Sequence, residues 1–288
     1  MAEEWGQSIN AVYLPVPGIS CGSGRPHQPQ VHMTTFLDSA ILPVSLLINP
    51  IILYAPVEEL GAEIISAVRS AVDRWPVVEI TIANVELARM IQAEFPALKT
   101  SASTLLDIFD PQQLNYLPAF DTLVPSTRIT RNLNALQKLK SGFKGKIRMM
   151  VNEGCLPSCP FRVQHFYEMS RPEIRYPQSL CRSVLDRISW LRLTGSWILP
   201  QHLHLFEGVY DELKLAGRVA LADPIRYEKV LSHYITRESL LPNEIGAGPA
   251  GLALPMPIED DFYQYTLTCD KNCAQCTVCR DYWTSHRQ

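Results

Sequence analysis

The sequence lacks a long uninterrupted apolar run. Its most apolar stretch, SAILPVSLLINPIILYAPV at residues 39 to 57, has no charge but is broken by Pro43, Asn49, Pro50 and Pro56. A spanning helix needs about 20 predominantly apolar residues, so a buried strand followed by a loop is expected here, and no membrane span. The opening MAEEWGQSIN is acidic and has no apolar h-region. No secretory signal is read from it, and a cytoplasmic location is the expectation. An excess of positive charge is also missing. The formal net charge is -3, which argues against broad nucleic-acid binding. No G-x-G-x-x-G follows the first expected strand, which weakens a dinucleotide-binding reading. Nor is there an H-E-x-x-H or a compelling catalytic triad.

What the sequence does have is cysteine, eight in all. Reduced thiols are the rule in the cytosol, so a disulfide framework is not expected. Evenly scattered cysteines would read as small buried hydrophobes. These are clustered. Cys269, Cys273, Cys276 and Cys279 fall within eleven residues, Cys155 and Cys159 form a pair, and Cys21 and Cys181 stand singly. The C-terminal CDKNCAQCTVC reads C-x3-C-x2-C-x2-C. Four thiolates this close can hold one tetrahedral zinc or one iron–sulfur cluster. The short spacings overlap rather than pairing across a longer loop, which suits a cube; zinc stays as the alternative. The first three also have the spacing of the radical S-adenosylmethionine motif. That motif precedes its barrel, whereas here only nine residues follow Cys279.

Strand-like and helix-like segments alternate along the chain. Strands are expected at 9 to 16, 43 to 49, 77 to 83, 98 to 103, 120 to 126, 145 to 152, 194 to 199 and 210 to 217. Helices are expected at 57 to 72, 84 to 95, 110 to 117, 128 to 140, 160 to 170, 200 to 208 and 223 to 238, with Asn84 and Asp110 as N-caps. About eight strand–helix units predict an α/β fold, a (β/α)8 TIM-type barrel over 1–238. An open doubly wound sheet is the runner-up. Residues 239–288 read as a Pro/Gly-rich tail carrying the four-cysteine motif.

A barrel would gather its site at the C-terminal ends of the strands. That places Cys21, Asn152, Glu153, Cys155, Cys159, Lys214 and Arg218 at one mouth, with Cys181 in a long connection. Asn152 and Glu153 are candidate acid/base or orienting groups, as is His165. Lys214 and Arg218 suit a substrate carboxylate or phosphate, or an ion pair with Asp211 or Glu212. Arg25 and His27 suit an anion or a thiolate, and Trp197 a flat ring or the core.

The residues VNEGCLPSCPFRVQHF, SLCRS, SWILPQHL, ELKLAGR and CDKNCAQCTVC together resemble the collagenase-like peptidase family, the U-32 group, over about residues 10 to 283. LKLAGR is similar to that family's LKIEGR but lacks its glutamate. The resemblance implies kinship with oxygen-independent hydroxylation factors for the ubiquinone ring and for tRNA and rRNA bases. It further implies a [4Fe-4S] cluster on Cys155, Cys159, Cys181 and a fourth ligand, with Cys21 matching an early-loop cysteine of one branch. One or two clusters are therefore expected, with zinc as the alternative at the C terminus. Three functions follow from the resemblance: an Fe–S-dependent oxidoreductase, a non-catalytic cluster-bearing subunit with a partner of the same family, or a peptidase. The substrate class, whether small molecule, peptide or RNA, stays open.

Overall fold

The computed structural model describes residues 6–19, 33–50, 53, 56–170, 180–216, 223–246 and 254–286. Among them are seven strands, β1 (Val12–Pro15), β2 (Val44–Ile48), β3 (Val77–Ile82), β4 (Lys99–Ala102), β5 (Thr122–Leu123), β6 (Lys146–Met150) and β7 (Glu212–Lys214). The α-helices are α1 (Met33–Asp38), α2 (Val57–Arg74), α3 (Val85–Glu94), α4 (Leu133–Gly142), α5 (Arg162–Ser170), α6 (Leu180–Arg187), α7 (Pro224–Thr236), α8 (Asp260–Leu267) and α9 (Val278–His286). The chain packs as two compact units.

One unit holds β1 to β5, α1 to α3 and α5. Its strands pair in chain order and in parallel, with Val12 opposite Val44, Leu46 opposite Ile80, Ile80 opposite Thr100, and Ser101 opposite Thr122. Parallel neighbours need crossover connections, and α2 and α3 supply two of them. β2 is buried along its whole length, as its unbroken VSLLI requires. α2 turns Leu60, Ile64, Val68 and Ala71 inward, the spacing its periodicity predicts. Each such fully buried aliphatic side chain contributes roughly 1.5–3 kcal/mol. At Gly61 a Cβ would meet Met90 Cε at 2.2 Å, so α3 crosses α2 over a residue without a side chain. Asn84 caps α3, its side chain accepting from the Glu86 and Leu87 N–H groups at 2.9 and 3.0 Å. Inside the sheet lies a carboxylate that the sequence pattern hides: buried Glu79 accepts from Ser45 Oγ at 2.8 Å.

The other unit holds α4, β6, α6, β7 and α7 to α9. β6 and β7 are parallel, with Arg148 opposite Glu212 and Met150 opposite Lys214. Residues 239–246 and 254–286 belong to this unit, with Leu240, Ile245, Leu254, Met256 and Ile258 buried.

The α/β class and the parallel, in-order pairing match the sequence reading. The strand expected at 194 to 199 is not formed. A 3-10 helix fills Ser189–Thr194, and after it only Trp197 bridges, antiparallel, to Asn152. Trp197, Ile198 and Leu199 are buried by side-chain packing rather than in a ladder. The helix expected from 128 starts at Leu133, because Asn132 accepts from the Ala135 N–H at 3.0 Å and sets the cap there. The expected helices at 110 to 117 and 200 to 208 are 3-10 segments, Pro111–Tyr116 and Pro200–Phe206. No helix among the described residues is long and apolar enough to cross a membrane.

Candidate metal centre

β6 and β7 present charge at the start of the pair. Glu212 takes Lys146 Nζ at 2.9 Å and Arg148 at 2.6 Å. Burial works against ionising Glu212, but these two cations outweigh it and hold the carboxyl below its ordinary range. Asp211 accepts from Lys140 Nζ at 2.5 Å and from the Ile147 N–H at 2.7 Å. Both carboxylates weighed as partners for Lys214 are thus engaged by other cations. Lys214 ends β7 half-buried, and its carbonyl accepts from the Val151 N–H at 3.1 Å.

The loop after β6 carries the first cysteine pair. Asn152 is 2% exposed. Its amide donates to the carbonyls of Ala216 at 2.7 Å and Ile245 at 3.2 Å, and its Oδ1 accepts from the Ala216 N–H at 2.7 Å. Glu153 accepts from the Cys155 N–H at 3.1 Å and so shapes the turn before that thiol. The Cys155 carbonyl takes Ser196 N–H and Oγ–H, both at 2.9 Å. Cys159 closes a turn on the Leu156 carbonyl at 3.2 Å. Cys181 lies in the first turn of α6. All three thiols are half-buried. His165 sits on α5 in the other unit, its ring 6.2 Å from that of Phe166. Cys21, Arg25, His27 and Arg218 lie outside the described residues. Trp197 is fully buried and belongs to the core.

Cys269, Cys273 and Cys276 lie on the short segment between α8 and α9, and Cys279 is in the first turn of α9. Lys271 has φ 61°, and its N–H points at Cys269 Sγ at 3.4 Å. The Asn272 N–H donates to Asp270 Oδ1 at 2.9 Å, and the Asn272 carbonyl takes the N–H groups of Gln275 and Cys276 at 3.0 Å. Tyr265 Oη lies 3.7 Å from Cys276 Sγ. Burial pushes the Cys279 thiol up to about 11; Arg131 pulls it down, while Cys269, Cys273 and Cys276 push it further up. Cys273 is raised by burial and then by Cys269 and Cys276. Burial and mutual charge thus both disfavour free thiolates here, a cost that a bound cation relieves. The donor set fits a thiophilic metal or cluster. Among the described residues no three His, Cys, Asp or Glu groups stand in ligand geometry, so ligation would require the thiols to close further.

A buried arginine that nothing in the sequence marks, Arg131, is bonded to α8 through Thr266. It lies just before the cap of α4 and is 3% exposed. Its Nη1 donates to the carbonyls of Leu193 at 2.7 Å and Gly195 at 3.0 Å, and its Nη2 to Thr266 Oγ1. The guanidinium stacks 4.6 Å from the Trp197 ring and 4.4 Å from that of Tyr263. Beside the knuckle a cleft of about 320 Å³ is lined by Asp110, Asn132, Asn134, Lys138, Cys269 and Asp270.

The sequence also carries one hydrolase-type spacing: Gly18-Ile19-Ser20-Cys21-Gly22, after β1, is G-x-S-x-G, and Ser20 to Gly22 lie outside the described residues.

No family model matches the chain. It is 26% identical over 173 residues to the "Uncharacterized protease MJ1657" of Methanocaldococcus jannaschii, an alignment covering 53% of this chain and 49% of that protein. The chain thus spans about half the length of this curated relative. It is also similar to the solved structure of the U32 peptidase Mk0906, with TM-score 0.50 and 16% identity, over 71% of this chain and 83% of that one. At that identity the likeness is one of fold.

Proposed function

We propose that the chain is an iron–sulfur protein of the collagenase-like peptidase (U-32) group, built as a (β/α)8 barrel and modifying its substrate by oxygen-independent hydroxylation or related redox chemistry. The supporting observation is the knuckle of Cys269, Cys273, Cys276 and Cys279, whose thiols share one electrostatic environment within eleven residues. The first site, Cys155, Cys159, Cys181 and Cys21, rests on its motif and on the resemblance. A bound cluster would supply one-electron transfer or a Lewis-acidic iron. The chain's own residues hold the frame: the Lys271 N–H tunes Cys269, and Glu153 fixes the Cys155 turn. His165, Lys214 and Arg218 are assigned to substrate, the two cations to its carboxylate or phosphate. A non-catalytic subunit paired with a relative is the alternative within this reading.

Peptide hydrolysis is the second reading, favoured by the names of both similar proteins and by the G-x-S-x-G at 18 to 22. Anaerobic purification with iron, sulfide and zinc counted per chain separates them. About eight irons are expected for two clusters, falling to about four when Cys155 and Cys159 are both changed to Ser. About four irons with one zinc would make the knuckle a zinc site. A chain with no iron, whose Ser20→Ala variant alone loses peptide cleavage, would decide for hydrolysis.

A further inference from the structure

Arg131 is a buried cation whose hydrogen-bond partners are two carbonyls and a hydroxyl, none of them a carboxylate. Among the described residues its Nε has no hydrogen-bond partner. Burying an ionised group without an opposite charge is unfavourable, so such a group implies a nearby anion. Two contacts lead to the cysteine knuckle. Thr266, which accepts from Arg131, is in the last turn of α8, just ahead of Cys269. Asn132, the next residue after Arg131, lines the same cleft as Cys269. Ionised Tyr263, Cys279 or Cys269 would each favour the charged guanidinium, against the burial that disfavours it. Four thiolates around a zinc ion or an oxidised [4Fe-4S] core leave a net charge of about -2.

We propose that Arg131 is the buried counter-charge of an anionic tetrathiolate metal centre at Cys269, Cys273, Cys276 and Cys279, a positioning residue that stabilises the loaded centre and raises its reduction potential. The proposal rests on reading these four cysteines as metal ligands. It also explains why a guanidinium stands where the strand-five loop meets the knuckle, since a planar cation can serve two carbonyls, a hydroxyl and two aromatic faces while facing an anion.

The test uses the full chain with Cys155 and Cys159 changed to Ser, so that metal reports the knuckle alone. Arg131→Gln removes the charge but keeps an amide donor for the carbonyls; Arg131→Lys keeps the charge. Each chain is reconstituted anaerobically with iron and sulfide, or loaded with zinc. The readouts are metal content, midpoint potential, zinc retention against a chromogenic chelator, and denaturation with and without metal. With iron, Arg131→Gln is expected to load yet favour the oxidised form at least tenfold more, about 59 mV lower in potential. With zinc, it is expected to release the ion at least tenfold more readily. Arg131→Lys stays nearer the parent in both, and Arg131→Gln is destabilised more with metal than without. Unchanged potential and zinc retention in a loaded Arg131→Gln chain would overturn the proposal. So would an Arg131→Gln chain that unfolds even without metal, which would make Arg131 a structural tie. If the parent holds neither iron nor zinc at the knuckle, the ligand reading itself fails first.

Discussion

Replacing Asn152 by Ala separates a structural role from a chemical one at the residue that opens the first cysteine loop. Its side chain makes three bonds, two to Ala216 and one to Ile245. Ala216 is exposed, so water can replace the lost partner there, and each of those bonds contributes about 0.5–1.5 kcal/mol. Ile245 is fully buried, and its carbonyl would be stranded at a cost of about 1–3 kcal/mol. The expected loss is about 2–6 kcal/mol, which for a urea slope of about 3 kcal/mol/M moves the midpoint down by roughly 0.7–2 M. Asn152→Asp is expected to be worse, because it sets a carboxylate against two carbonyls. Urea denaturation of the metal-free chain measures both. An Ala variant within about 0.5 kcal/mol of the parent would refute this reasoning. If that variant also lost iron uptake or turnover, Asn152 would return to the site as an orienting group.

Three other outcomes follow from the same half of the chain. Burial lowers the His202 pKa from 6.5 to about 4 against the pull of Asp260, 3.1 Å away. The unfolded chain then binds the extra proton between those values, so stability is complete above about pH 6.5 and declines toward pH 4 by about 3 kcal/mol. His202→Gln should flatten that slope in urea titrations across the window, and an unchanged slope would reject the assignment. Arg148 and Glu212 are a buried pair, each side chain 8% exposed. Glu212→Gln should cost about 3–5 kcal/mol by taking the carboxylate charge away from buried Arg148, while an Arg148→Met, Glu212→Leu double variant recovers most of it. A loss under about 1 kcal/mol for the single change would show that Arg148 finds another partner. Cys276→Ser should remove metal at the knuckle alone, leaving about four irons on the first site, and full retention of metal would exclude the knuckle as ligand set.

Legibility followed contact range. β2 and β3 fall within the expected segments because VSLLI and VVEITI are apolar, β-branched runs, self-contained signals. Asn84 and Asp110 were readable because a cap bonds its own next turn; Asp110 Oδ1 accepts the Gln112 N–H at 2.8 Å. The 194 to 199 segment misled because a buried apolar run looks alike whether a ladder or side-chain packing buries it. Arg131 was invisible for a related reason. Its partners Leu193, Gly195 and Thr266 are remote in sequence, and nothing in TRITRN marks an arginine for burial. Glu79 is the same case in the other unit, a carboxylate in a strand whose partner Ser45 comes from the neighbouring strand.

The same distinction separates the two sets of cysteines and leads to an order of metal loss. The knuckle closes over eleven residues, whereas more than a hundred residues separate Cys21 from Cys155. Loop-closure entropy grows by only about 0.6 kcal/mol per doubling, yet this difference amounts to about 2 kcal/mol against the longer set. The longer set also depends on tertiary contacts: the Cys155 carbonyl is held by Ser196, which itself is tied to the Thr127 carbonyl at 2.6 Å. The knuckle's own bonds run between residues at most four apart, apart from the Tyr265 hydroxyl on Cys276. Partial unfolding should therefore empty the first site while the knuckle keeps its metal. In rising urea under anaerobic conditions, the iron released first should be the iron that Cys155→Ser removes. Loss of all metal in one step at the global transition would mean that the knuckle's grip is tertiary, with Arg131 and its buried neighbours rather than the local turn deciding whether it holds.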